Sequence, residues 1–160
     1  MIKSQEIPLA GCHFLYPAAV FASREPSRVQ TLLGSCVAIC LYDQILKIGG
    51  INHFMLPQWD GRGPQTPKYG DIAVDMLINK MIDMGSRKEN LIAKIFGGGN
   101  QHTSNKILSI GDRNSEIATH SIKKHSIRIV ASSLGGINGR KIIFNTFTGV
   151  VLMKFIVQQN

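Results

Sequence analysis

Long apolar runs are missing from this 160-residue sequence, and so are dense blocks of charge. The apolar stretch from Phe14 to Ala22 is broken by Pro17 and falls far short of the ~20 residues a membrane helix needs. Leu9-Ala10-Gly11-Cys12 has the form of a lipoprotein cleavage site. However, Lys3-Ser4-Gln5-Glu6 fills the space where a signal peptide carries an apolar core of ~7–15 residues. The expectation is a cytoplasmic chain with no membrane insertion. Cysteine is scarce, with three residues, an odd number that fits reduced thiols better than a disulfide framework. Acidic residues are outnumbered ten to eighteen by Lys and Arg, giving a formal charge of +8. Yet the basic residues come in ones and twos, and no basic run interleaves with aromatics. No zinc-finger or RNP-like pattern occurs either, so nucleic acid is not an expected partner. A solvated basic surface suited to an acidic protein is the better reading.

Internal repeats are also absent. The chain is 44% apolar and 18% charged, which fits a globular protein, and its length fits one compact domain over residues 1–160. Arg28 to Leu33, Val37 to Tyr42 and Lys47 to Met55 read as β-strands. Pro57 to Pro67 reads as a loop. From Tyr69 to Met84 the apolar period becomes helical (Ile72, Val74, Met76, Leu77, Ile78, Met81, Ile82), with Asp71 as the expected N-cap and Gly85 as the stop. Leu91 to Phe96 is a strand leading into Gly97-Gly98-Gly99. A second helix fits about Asn114 to His125, with Ile117, Ala118 and Ile122 inward and Arg113-Asn114 as its entry. Three further strands fit Ile127 to Ala131, Arg140 to Asn145 and Val150 to Val157. Two helices inserted between groups of strands predict an α+β layered sandwich.

The chemistry concentrates in the Val37–Met55 hairpin and what precedes it. With the turn centred between Gln44 and Ile45, Cys36 faces His53 across the strands, on one face and with Cβ atoms ~4.5–5.5 Å apart. A shift by one residue would place them on opposite faces. A thiol beside an imidazole makes a nucleophile: imidazolium lowers the thiol pKa, the thiolate attacks an acyl carbon, and the imidazole protonates the leaving amine. Gly34 and Ser35 permit close backbone approach, so N–H groups there can face an oxyanion. Thr31 or a backbone carbonyl is the expected orienting third group. From spacing alone an inert core thiol, as Cys40 reads, is the better account of Cys36. Cys12 and His13, adjacent in an extended chain, point to opposite sides. Cys36, Cys40 and His53 lack the usual zinc spacing, so no metal is expected. Gly97-Gly98-Gly99 lacks the Gly-Lys-Ser/Thr of a P-loop and reads as a turn lining the cleft. His102, His120 and His125 read as surface residues.

Thr31-Leu32-Leu33-Gly34-Ser35-Cys36-Val37 and Asn52-His53-Phe54-Met55-Leu56-Pro57 together resemble the CheD family of chemoreceptor glutamine deamidases. The likeness continues through Lys68-Tyr69-Gly70-Asp71, Ala93-Lys94-Ile95-Phe96-Gly97-Gly98-Gly99 and Ile110-Gly111-Asp112-Arg113-Asn114. It ends in Leu134-Gly135-Gly136-Ile137-Asn138-Gly139-Arg140-Lys141 and Asn145-Thr146-Phe147-Thr148-Gly149. The resemblance implies an α/β sandwich of mostly antiparallel strands with two main helices, similar to bacterial toxin deamidase domains. It implies hydrolysis of glutamine side chains on methyl-accepting chemotaxis receptors, with Cys36, His53 and Thr31 catalytic. No metal or organic cofactor is implied, and a CheC-like phosphatase is a further implied partner. The rival expectations are an adaptor that binds receptors or a CheC-like phosphatase through the same cleft, and another thiol hydrolase such as a protease.

Overall fold

The computed structural model describes residues 12–100 and 109–157. Along the chain run β1 (Cys12–Phe14), β2 (Ala19–Ser23), β3 (Arg28–Leu33), β4 (Val37–Asp43), β5 (Ile48–His53), α1 (Gly70–Asp83), β6 (Leu91–Gly97), α2 (Ile110–Lys124), β7 (Arg128–Leu134), β8 (Gly139–Asn145) and β9 (Val151–Ile156). They form two sheets, ordered β1-β3-β8-β9 and β2-β5-β4-β6-β7. Among the described strands, only β1–β3 and β6–β7 pair in parallel. No described helix is long and apolar enough to cross a membrane.

The three layers follow from where apolar side chains can go. β4 is buried along its whole length, because the five-stranded sheet is covered on both faces, and a strand so placed reads as a continuous apolar run. One face (Val37, Ile39, Leu41) packs with Val74, Leu77, Ile78 and Met81 of α1 and Ala118 and Ile122 of α2. The other (Ala38, Cys40, Ile51, Phe96) packs on Val29, Leu33, Ile142 and Phe144 of the four-stranded sheet. Gly49 and Gly50 permit this closeness: a Cβ would meet Phe144 Cζ at 2.8 Å in one case and Leu77 Cδ1 at 2.8 Å in the other. The expected α+β sandwich of mostly antiparallel strands with two helices is therefore present.

Several boundaries differ from expectation for local reasons. β1 and β2 lie in a segment whose sequence carries little periodicity, and each is held by one neighbouring strand of its sheet. Asp71 does not cap α1. Tyr69 occupies that position without a side-chain bond, while Asp71 Oδ1, inside the first turn, accepts from Trp59 N and Ile72 N. α2 starts a turn earlier than expected, at Ile110, because Ser109 Oγ accepts from Asp112 N as its N-cap. Residues 1–11, with the cleavage-site likeness at Leu9 to Gly11, and His102 lie outside the described residues.

Candidate active site

The hairpin that carries Cys36 and His53 turns differently from expectation. Its pairs are Cys40↔Ile51, Leu41↔Gly50, Tyr42↔Gly49 and Asp43↔Ile48, a register two residues removed from the one that sets Cys36 opposite His53. Asp43 Oδ1 accepts from Ile45 N and Leu46 N, Lys47 N donates back to Asp43 O at 2.9 Å, and Lys47 takes a left-handed φ of 54°. This side-chain-built turn centres the loop between Ile45 and Leu46. A slip of two preserves the face. Cys36 still packs into the layer between the sheets, and it lies diagonal to His53 rather than directly across.

Thr31 reaches His53 from the other sheet. Its Oγ1 donates to Leu15 O at 2.7 Å and lies 2.7 Å from His53 Nδ1. A hydroxyl has one proton, so with that proton on Leu15 O the contact runs from Nδ1–H to Oγ1. The imidazole is thereby held as the Nδ1–H tautomer, with its lone pair on Nε2. That nitrogen is buried and has no partner among the described residues. Burial lowers the His53 pKa from 6.5 to about 4, so the ring is neutral at pH 7. Burial also pushes the Cys36 thiol above its ordinary value, partly offset by its own backbone N–H. The expected imidazolium that would depress the thiol is thus absent at rest, and the pair rests as neutral thiol and neutral imidazole. No hydrogen bond joins Cys36 Sγ to Nε2. Catalytic contacts of this kind are often long before substrate binds.

The loop between β3 and β4 presents the thiol. Ser35 is exposed and Cys36 half-buried. The N–H groups of Gly34 and Ser35 donate to no described backbone carbonyl, whereas that of Cys36 faces its own thiol. Their carbonyls are fixed instead: Gly98 N donates to Cys36 O and Gly99 N to Gly34 O, both at 2.9 Å. The Gly97-Gly98-Gly99 turn is buried, and the amides of Gly98 and Gly99 are spent on the loop that carries Cys36. Gly97 has φ 117°, and a Cβ there would sit 2.2 Å from Cys36 O. The Arg140 guanidinium, beneath, donates to Gly97 O and Gly135 O at 3.2 and 2.8 Å.

Cys40 is buried, and burial drives its thiol far above the ordinary range, which makes it the inert core residue expected. Cys12 is exposed on β1, with His13 beside it in the chain and stacked on Phe21. No group of three or more His, Cys, Asp or Glu among the described residues is arranged to hold a metal. His120 is exposed, whereas His125 is half-buried and pairs with Asp75 at 3.1 Å.

Three contributors escaped the sequence reading. Leu15 supplies the carbonyl that orients Thr31. Asn52, next to His53, accepts from Ile39 N at 2.9 Å and donates to Ala73 O of α1 at 3.1 Å. Asn114, read as a helix entry, lies inside α2 and donates to both Ser35 O and Met55 O. Its four-residue spacing from Ala118 and Ile122 was the signal that placed it on the buried face.

Comparison with known proteins agrees with the resemblance. The profile of the family described as "CheD chemotactic sensory transduction" matches residues 55–155. A protein of Trichlorobacter lovleyi named "Probable chemoreceptor glutamine deamidase CheD" is 50% identical over 149 residues, 92% of this chain and 92% of its own. One of the same name from Sulfurimonas denitrificans is 41% identical over 89% of this chain and 93% of its own. The Bacillus licheniformis hypothetical protein YfiH superposes with a TM-score of 0.45 at 17% identity, covering 71% of this chain and 49% of that one.

Proposed function

The chain belongs to the CheD family, and on that footing we propose that it is a protein-glutamine deamidase acting on methyl-accepting chemotaxis receptors. The observation that carries the proposal is the Leu15–Thr31–His53 relay, which leaves a bare Nε2 in the layer where Cys36 packs. Residues 1–160 act as one deamidase domain in the cytoplasm, with a CheC-like phosphatase as a further partner.

In this reading the Cys36 thiol gives its proton to His53 Nε2 as Sγ attacks the glutamine side-chain carbon. The carbonyl oxygen becomes an oxyanion, received by N–H groups of the Gly34-Ser35-Cys36 loop. The C–N bond then breaks, Nε2–H protonates the nitrogen, and ammonia leaves behind a thioester. Water attacks the thioester and yields its proton to Nε2. The C–S bond breaks, Nε2–H returns its proton to sulfur, and glutamate leaves with the free thiol restored. Because both groups rest neutral, proton transfer is coupled to attack, and Thr31 steadies the imidazolium formed on the way. The product carboxylate adds negative charge to a helical receptor, shifting its conformational balance through like-charge repulsion.

Mass mapping of a receptor cytoplasmic fragment incubated with the protein tests this. Specific glutamine peptides gain about one dalton each as amide becomes acid. Backbone cleavage would point to a protease instead, and binding without any conversion would point to an adaptor.

A further inference from the structure

Asn114 is fully buried in α2, and its Nδ2 donates to Ser35 O at 2.9 Å and Met55 O at 3.0 Å. Those carbonyls belong to the residue before Cys36 and the second residue after His53. The strands share little of their own there. Below Cys40↔Ile51 their pairing lapses, with Ile39 N turned to Asn52 Oδ1, and resumes only at the isolated Val37↔Phe54 bridge. Asn114 therefore grips both chain segments at once, just past the last main-chain link. It does so at a cost. Both amide protons are used, and Oδ1 is left buried with no partner among the described residues, a penalty of about 1–3 kcal/mol that an apolar residue would not incur.

We propose that Asn114 is a positioning residue: by clamping Ser35 to Met55 it sets the separation across which the Cys36 thiol proton passes to His53 Nε2. This rests on the reading of Cys36 and His53 as the reacting pair. Two variants remove the clamp. Asn114→Ala deletes it, and Asn114→Asp keeps the volume while turning an acceptor toward two carbonyls. Ile122→Ala, also buried in α2, is the reference for a loss of packing that touches nothing at the site.

The readouts are kcat and KM on a receptor cytoplasmic fragment, Tm, and the pH profile of iodoacetamide alkylation mapped to the Cys36 peptide. Both Asn114 variants are expected to lose at least ~tenfold in kcat with KM within about twofold. Their Cys36 alkylation midpoint falls toward the ordinary thiol value as the loop opens to water. Ile122→Ala lowers Tm and leaves the alkylation profile and kcat unchanged. Wild-type kcat and an unshifted profile in either Asn114 variant that folds would overturn the proposal. So would the same two changes in Ile122→Ala. If wild type released no ammonia, the deamidase reading would fail, while the alkylation comparison would still decide whether Asn114 positions the thiol.

Discussion

His53 is kept neutral by burial, and this ties stability to acid in a defined direction. Its pKa falls from 6.5 to about 4 on folding, so the unfolded chain binds the proton more readily. The stabilisation is complete above pH ~6.5, declines as pH falls toward 4, and amounts to on the order of 3 kcal/mol. Thermal melts across that window should show wild type losing more stability than His53→Gln. Equal losses would remove His53 as the cause. Thr31→Val keeps the side-chain shape but leaves Leu15 O and His53 Nδ1 unpaired. We expect a loss of about 1–3 kcal/mol in stability and at least ~tenfold in kcat as the tautomer is freed, read by melts and ammonia release. The residue types of the site were legible in Gly-Ser-Cys and Asn-His. The tautomer was not, because it depends on Leu15, a residue whose contribution is a carbonyl any side chain could accompany.

At the scale of elements, the candidate site joins one loop, Gly34 to Cys36, to the strand residues Thr31 and His53. The loop carrying Cys36 hangs from Gly98 N and Gly99 N, and Gly97 allows the approach. Gly97→Ala combines a backbone conformation that L residues rarely adopt with a Cβ 2.2 Å from Cys36 O. Main chain cannot yield as a side-chain tip would, so near-complete loss of deamidation is expected even where circular dichroism shows a folded protein. Full activity would mean the loop tolerates displacement. Strands and helices were largely legible because β4 is a continuous apolar run and α1 and α2 carry helical periods. The hairpin register was not. Asp43 builds the turn with its side chain and Lys47 closes it in a left-handed conformation, and neither is one of the usual hairpin signals. The start of α2 was not legible because Ser109, its cap, lies a turn before the apolar stripe becomes visible.

At the scale of the whole molecule, a charge of +8 spread over the surface predicts encounter with an acidic partner rather than a fixed binding pocket for anions. Raising ionic strength from about 0.01 M to about 1 M shortens the screening length from about 30 Å to about 3 Å. Receptor-fragment affinity measured by titration calorimetry should weaken over that range, and an unchanged Kd would remove charge from the docking account. The layered architecture brings the residues of the candidate site together. Thr31 comes from one sheet, Cys36 and His53 from adjacent strand ends inside the other, and the Asn114 bonds to Ser35 O and Met55 O from the helix layer, so the candidate site lies where all three layers meet. That convergence could not be read from local pattern, because one of its bonds joins Ser35 to Asn114, 79 positions apart. The most direct test of the account is ammonia release from a receptor cytoplasmic fragment by wild type and Cys36→Ala side by side. Release by wild type, matched to glutamine-to-glutamate conversion and abolished in Cys36→Ala, is the predicted result. Undiminished release by Cys36→Ala would contradict it.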